Sequence, residues 1–250
     1  MNYKFNDNTL LHAVAFNPFK LESILQNGII SFNEASNSKL PFTRNTFGYN
    51  FDDYISMTRY MYVSFKDTTT SFYNYSLKGI SLIVENQDFI YNQNEMYFNY
   101  PDEVFVKDKV VKENIKGILL PLKYLDYLLE ELPMFNLKST SYINIKHTCD
   151  DLIKYLKTLN YDVNISLYNI YLNDVYQVVL KLQKDENNSM LLEEFMKCKI
   201  ALNEFIASEV QNAFDKMFNK NFTTLEEMTT FIAEKYNKKI YYIDSLKYVR

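Results

Sequence analysis

The chain has 250 residues, 47% hydrophobic and 23% charged, with a net charge of −4; it can bury a core for one large domain or two small ones, which excludes a disordered tail or a collagen-like fibre. Charge is shared evenly, 12 basic against 13 acidic residues in 1–125 and 15 against 18 in 126–250, so no overall basic field marks a nucleic-acid binder. No stretch nears the roughly 20 uninterrupted apolar residues of a membrane span, and MNYKFNDNTLL lacks the basic start and apolar run of a signal peptide.

The chain is therefore expected to work without a membrane, in the cytoplasm or delivered into a target cell by another route. Cys149 and Cys198 have no CxxC partner and only two histidines to help them, which excludes a zinc finger and predicts buried small hydrophobes rather than disulfides.

All nine Gly and Pro residues lie at or before Pro133, so Asn and Asp must make the turns of the remainder. In chain order, LLHAVAF (10–16) is a short apolar strand ended by Asn17-Pro18. FKLESILQNGI (19–29) predicts a helix with Phe19, Leu21, Ile24 and Leu25 on its apolar side and Gly28 just past its end. Residues 31–53 look too long and patternless for a regular element, the kind of loop that serves as a lid. YISMTRYMYVSF (54–65), GISLIVE (79–85), DEVFVKDKV (102–110) and IKGILLP (115–121) read as strands, and KYLDYLLEEL (123–132) as a helix stopped by Pro133.

After Pro133 the pattern turns helical. Thr148 is expected to cap CDDLIKYLKTLN, residues 161–182 are open between strand and helix, and the apolar set from Leu192 to Met217 follows helical spacing. Thr223 with Glu226, or Thr224 with Glu227, opens a last helix ending near Tyr236. The expected fold is α+β, with a mixed sheet in residues 1–133 and a mostly helical region in 134–250.

Three features of the first half carry candidate chemistry. His12 sits in the first strand, while His147 reads as a surface residue in a polar turn. Ser56-Met57-Thr58-Arg59 would put the two hydroxyls on one face of a strand, with Met57 and Arg59 on the other. In Pro101-Asp102-Glu103-Val104-Phe105-Val106 a carboxylate pair opens a strand, with Glu103 opposite in face to Val104.

In that order, from LHAVAFNPFKLESILQNGI through YISMTR to PDEVFVKDKVVKENIKGILLP, residues 10 to 121 resemble the ADP-ribosyltransferase superfamily in its histidine-bearing, bacterial or phage toxin or effector branch. The resemblance implies a split mixed sheet, a catalytic domain in 1–133, and NAD as substrate with no metal. It implies that His12 touches a ribose hydroxyl of NAD and that the backbone of Ala13 holds the nicotinamide carboxamide. Ser56 and Thr58 would support the nicotinamide pocket, and Glu103 would be the catalytic glutamate. Tyr62 and Tyr73 are candidates to sandwich nicotinamide, with Tyr60 and Tyr75 as substitutes. Arg59 and Arg44 are candidates for the NAD pyrophosphate or the acceptor, since a guanidinium fork suits phosphate.

The chemistry suits these residue types. Breaking the nicotinamide–ribose bond builds positive charge on the sugar, which one well-placed carboxylate stabilises. Arginine-modifying members carry an acidic or amide residue two before the catalytic glutamate; Pro101 stands there, which argues against an arginine acceptor and for another site on protein or nucleic acid. An NAD glycohydrolase, an RNA 2′-phosphotransferase-like enzyme and a noncatalytic partner-binding module remain alternatives. The stripe from Leu192 to Met217 reads as core or as an interface with an antitoxin or other partner, and residues 139–147 as part of an acceptor groove.

Overall fold

The structure, a computed structural model, describes residues 3–6, 8–15, 17–37, 53–59, 79–85, 87–88, 90–92, 103–121 and 142–243. The chain divides into two compact units, Met1–Leu132 with Phe222–Arg250, and Pro133–Asn221. The first is built on a seven-stranded mixed sheet and the second on helices, so the chain is α+β.

The central strand is β1 (Leu10–Ala15). Its neighbours Leu10 and Leu11 point to opposite faces and are both buried, so the sheet is covered on both sides there. Leu11 packs with Ile83 and Leu119 under Tyr3, Phe5 and Tyr241.

Asn17 then caps α1 (Pro18–Asn27), its side chain accepting the Phe19 and Lys20 amides, and Pro18 supplies a helical φ at no hydrogen-bond cost. The expected apolar side of Phe19, Leu21, Ile24 and Leu25 is buried. Gly28 ends the helix at φ +92° and donates its N–H to the Ile24 carbonyl at 2.8 Å. β2 (Ile29–Ile30) follows, and then α2 (Phe32–Asn37), a short helix where a patternless loop was expected. Six residues are too few to show a periodicity, and buried Ser31 and Ala35 anchor it. The rest of that loop, to residue 52, lies outside the described residues.

The other strands are β3 (Tyr54–Arg59), β4 (Gly79–Val84), β5 (Ile90–Asn92), β6 (Glu103–Lys107), β7 (Lys109–Val110) and β8 (Ile115–Pro121), with a 3-10 turn at Lys112–Asn114. With β9 (Lys239–Ile243) from the end of the chain, the order is β5-β6-β3-β1-β4-β8-β9, antiparallel except for a parallel β8–β9 pair, and β2 and β7 form a separate two-stranded sheet. The expected helix at 123–132 lies outside the described residues.

The second unit holds α3 (Tyr142–Thr158), α4 (Ile165–Leu182) and α5 (Ser189–Phe218). Thr148 is not a cap, and His147 is not in a turn: both lie inside α3, which already runs from Tyr142. Buried Ile145, Cys149, Leu152 and Leu156 extend the apolar stripe to either side of them. The open segment 161–182 is helical from Ile165, because Tyr168, Leu172, Val175 and Val178 recur on one buried face, outweighing the short alternation before it.

Tyr168 ties α4 to α3, its hydroxyl donating to Asp150 Oδ1 at 2.7 Å, while Lys146 also bonds Asp150. Burial pushes the Cys149 thiol up to about 12, so it is a packed thiol; Cys198 is only half-buried. The long stripe splits. Phe195, Leu202, Ile206, Val210, Ala213 and Phe214 are buried, whereas Leu192, Met196, Ile200 and Met217 are exposed.

The turns are made by Asn and Asp as composition requires. Asn164 and Asn188 cap α4 and α5, and Asn160, Asn219 and Asn237 take positive φ.

The expected grouping of 134–250 needs a correction at its end. α6 (Leu225–Lys235) and β9 (Lys239–Ile243) belong with the sheet, since β9 pairs with β8 and α6 packs on α1. Of the two expected capping boxes neither is complete: Thr224 caps α6, its hydroxyl accepting the Glu227 amide, but the Glu227 carboxylate accepts from the Thr223 amide and hydroxyl, while Glu226 accepts from Tyr242. β9 went unread because KIYYI follows a helix with no Gly or Pro to mark the change.

Gly117 makes the β8–β9 contact possible. A Cβ there would stand 2.6 Å from the Tyr241 ring and 2.7 Å from the Lys239 carbonyl oxygen. Gly117→Ala is expected to cost about 1–3 kcal/mol by overpacking, read as a lowered Tm; an unchanged Tm would contradict this pairing.

Candidate functional site

His12, Ala13, Ser56, Thr58, Arg59 and Glu103 lie on three neighbouring strands, β6, β3 and β1. β1 runs along β4 for six residue pairs, but its ladder to β3 holds only two, Leu10↔Arg59 and Leu11↔Thr58. Where that ladder stops, a side chain takes over: the His12 ring nitrogen Nδ1 lies 2.9 Å from the Ser56 carbonyl oxygen. A carbonyl only accepts, so Nδ1 carries the proton and donates, leaving Nε2 with a free lone pair whenever the ring is neutral.

The ring is neutral at physiological pH. Burial lowers the His12 pKa from 6.5 to about 4, and the positive charge of Lys20 lowers it further, against an opposing effect of the Ser56 hydrogen bond. His12 thus offers a hydrogen-bond acceptor, suited to a hydroxyl, rather than a cation.

The sign of its pH effect follows. With the folded pKa below 6.5, the native state binds fewer protons than the unfolded chain as pH falls from 6.5 toward 4. Stability is complete above that window and should drop by about 2 kcal/mol across it. Denaturant midpoints at pH 7 and pH 4.5 test this against His12→Asn, whose amide keeps a donor near Ser56 but does not titrate. Equal acid sensitivity in the two proteins would refute it.

β3 alternates as read: Ile55 and Met57 are buried and Ser56 is exposed. Its ladder with β6 sets Ser56 across from Phe105 and Thr58 across from Glu103, while the buried pairs Met57↔Val104 and Ile55↔Val106 hold the register. Thr58 is paired on both sides, with Glu103 and with Leu11. One row therefore crosses three strands from Glu103 through Thr58 to Leu11; His12, the next residue of β1, alternates to the other face from that row. Ala13 lies in β1 opposite Ser81, beyond the end of the β1–β3 ladder.

The side chains of Ala13, Thr58, Arg59 and Glu103 lie outside the described residues, and so do Arg44, Tyr60, Tyr62, Tyr73, Tyr75 and Pro101 entirely. His147 is exposed on α3. Of the 139–147 stretch, 142–147 is helix.

One group the sequence reading missed is Lys20. It is half-buried in the first turn of α1, and burial lowers its pKa from 10.5 to about 8. The signal was a lone cation in a first turn that holds no acid, where the helix dipole disfavours positive charge. Among the described residues no group of three or more His, Cys, Asp or Glu side chains could hold a metal ion, and no helix is long and apolar enough to cross a membrane.

No family model matches the chain, and no curated protein matches it significantly.

Proposed function

We propose that this chain is an NAD-dependent ADP-ribosyltransferase that cleaves the nicotinamide–ribose bond and joins ADP-ribose to a macromolecular acceptor other than arginine. The observation that carries the reading is the row across β6, β3 and β1: Glu103 pairs with Thr58, Thr58 with Leu11, and next to Leu11 the neutral His12 is anchored on Ser56. Segments far apart in sequence are brought to neighbouring strands there, which supports the reading.

In this reading His12 Nε2 accepts a ribose hydroxyl. The backbone of Ala13, past the end of the β1–β3 ladder, meets the nicotinamide carboxamide, and Ser56 and Thr58 line the pocket with Tyr62 and Tyr73. The bond electrons leave with the nicotinamide ring nitrogen, while the Glu103 carboxylate stabilises the cationic sugar. The acceptor's lone pair then forms the bond to the anomeric carbon, and its proton is lost. No metal is required by this chemistry, because nicotinamide is already a good leaving group.

Incubation with labelled NAD and a cell extract separated into protein, RNA and DNA tests the reading. Nicotinamide release with label in one fraction is the expected result. Free ADP-ribose with no labelled fraction would make the chain a glycohydrolase, and no nicotinamide release would leave a binding module.

A further inference from the structure

Most of the large apolar side chains that stand exposed among the described residues belong to the helical unit, and three of them form a run on α5: Leu192, Met196 and Ile200, exposed at 46%, 49% and 51%. Apolar residues scattered singly over a surface are ordinary, but three spaced by four on one helix make a continuous stripe. The same face continues through Asn203 and Ala207, and there it is buried. The face is therefore covered within its own unit in the second half of α5 and bare in the first.

The charges beside the stripe indicate what fits it. At 3.6 residues per turn Glu193 and Lys197 fall on one flank, where they bridge one another at 2.7 Å and stay exposed. The acid precedes Met196 and the base follows it. When a second α5 lies antiparallel across the stripe with Met196 against Met196, Leu192 meets Ile200 of the second copy. Glu193 then comes beside Lys197 of that copy, and Lys197 beside its Glu193, because a two-fold axis across the helices keeps both charged flanks on the same edge. In a parallel pair the two flanks lie on opposite edges, and the charges do not meet. The pattern is thus complementary to itself in one orientation.

We propose that this chain self-associates through α5, two copies pairing antiparallel about Met196 through Leu192, Met196 and Ile200, with Glu193 and Lys197 setting the register. Three half-exposed side chains and their flanking charges bury less than the roughly 800 Å² per partner of a standard interface, so the dimer is weak and dissociates at about 10–100 µM.

Sedimentation velocity of the full chain, run from below to above that concentration, tests the pairing. A monomer at the dilute end that becomes a dimer at the concentrated end is the expected result. Met196→Glu should weaken the association at least about 10-fold with an unchanged Tm, because it sets a carboxylate against its own copy in an apolar contact. Glu193→Lys and Lys197→Glu each bring like charges together and should also weaken it about 10-fold. An equimolar mixture of those two variants should associate as tightly as wild type, since one copy then offers only bases to the shared edge and the other only acids. Circular dichroism checks that each variant keeps its helices.

A chain that stays monomeric throughout, a dimer indifferent to Met196→Glu, or a mixture that associates no better than its two components overturns the proposal. A Tm lowered by several degrees in Met196→Glu overturns it as well, because the stripe would then be covered by the chain itself.

Discussion

Glu103→Gln should reduce nicotinamide release from NAD about 10³-fold or more, the loss expected when a single electrostatic stabiliser of about 4 kcal/mol is removed from a cationic transition state. The fold should persist, because Glu103 is the first residue of β6 and its register partner Thr58 is met through the backbone. Unchanged Tm and circular dichroism are the control. Glu113→Gln, an exposed acid on the 3-10 turn, should leave the rate unchanged. If Glu103→Gln releases nicotinamide as fast as wild type, the proposed catalytic role fails. If NAD is never cleaved by either protein, the enzyme reading itself fails.

Gly28→Ala should destabilise the sheet unit by about 3–5 kcal/mol, at the extreme of single substitutions, because two costs combine there. The backbone stands at φ +92°, where a side chain is strained, and a Cβ would lie 2.2 Å from the Val110 carbonyl oxygen. That carbonyl belongs to β7, which pairs with β2 immediately after the glycine, so the clash cannot be relieved without separating the two strands. Urea denaturation with Asn27→Ala, at an exposed neighbouring position, as the reference makes the measurement. A cost below about 1 kcal/mol would show that this close approach is absent.

These two positions show how unevenly the molecule could be read in advance. Gly28 was recognisable from the apolar period of the preceding helix, but nothing local announced that Val110, more than eighty residues later, would close over it. Long α5 was readable because its apolar set persists over many turns, and yet Leu192, Met196 and Ile200 of that set face solvent, since periodicity finds an apolar face without saying what covers it. The short helix α2 and the strand β9 were missed for the opposite reason. An element of five or six residues has too little pattern to stand out, and a neighbouring strand or buried anchor decides it.

The candidate site divides in the same way. His12, Ser56, Thr58 and Glu103 could be singled out by residue type and order, because a strand's alternation and a carboxylate at a strand entrance are local properties of the chain. Their adjacency could not, since strand order and register are set by buried pairs such as Met57 with Val104, and these are long-range contacts. The neutral state of His12 and the lowered pKa of Lys20 were equally beyond the sequence, because both depend on desolvation, which exists only once the chain has packed around them. By itself, the sequence determined the α+β class, the elements long enough to show a period, and the turns that Asn and Asp make where Gly and Pro are missing. Only the tertiary structure decided which strands meet, that the last helix and strand return to the sheet, and which charges lose water, because each is a property of contacts between distant parts of the chain.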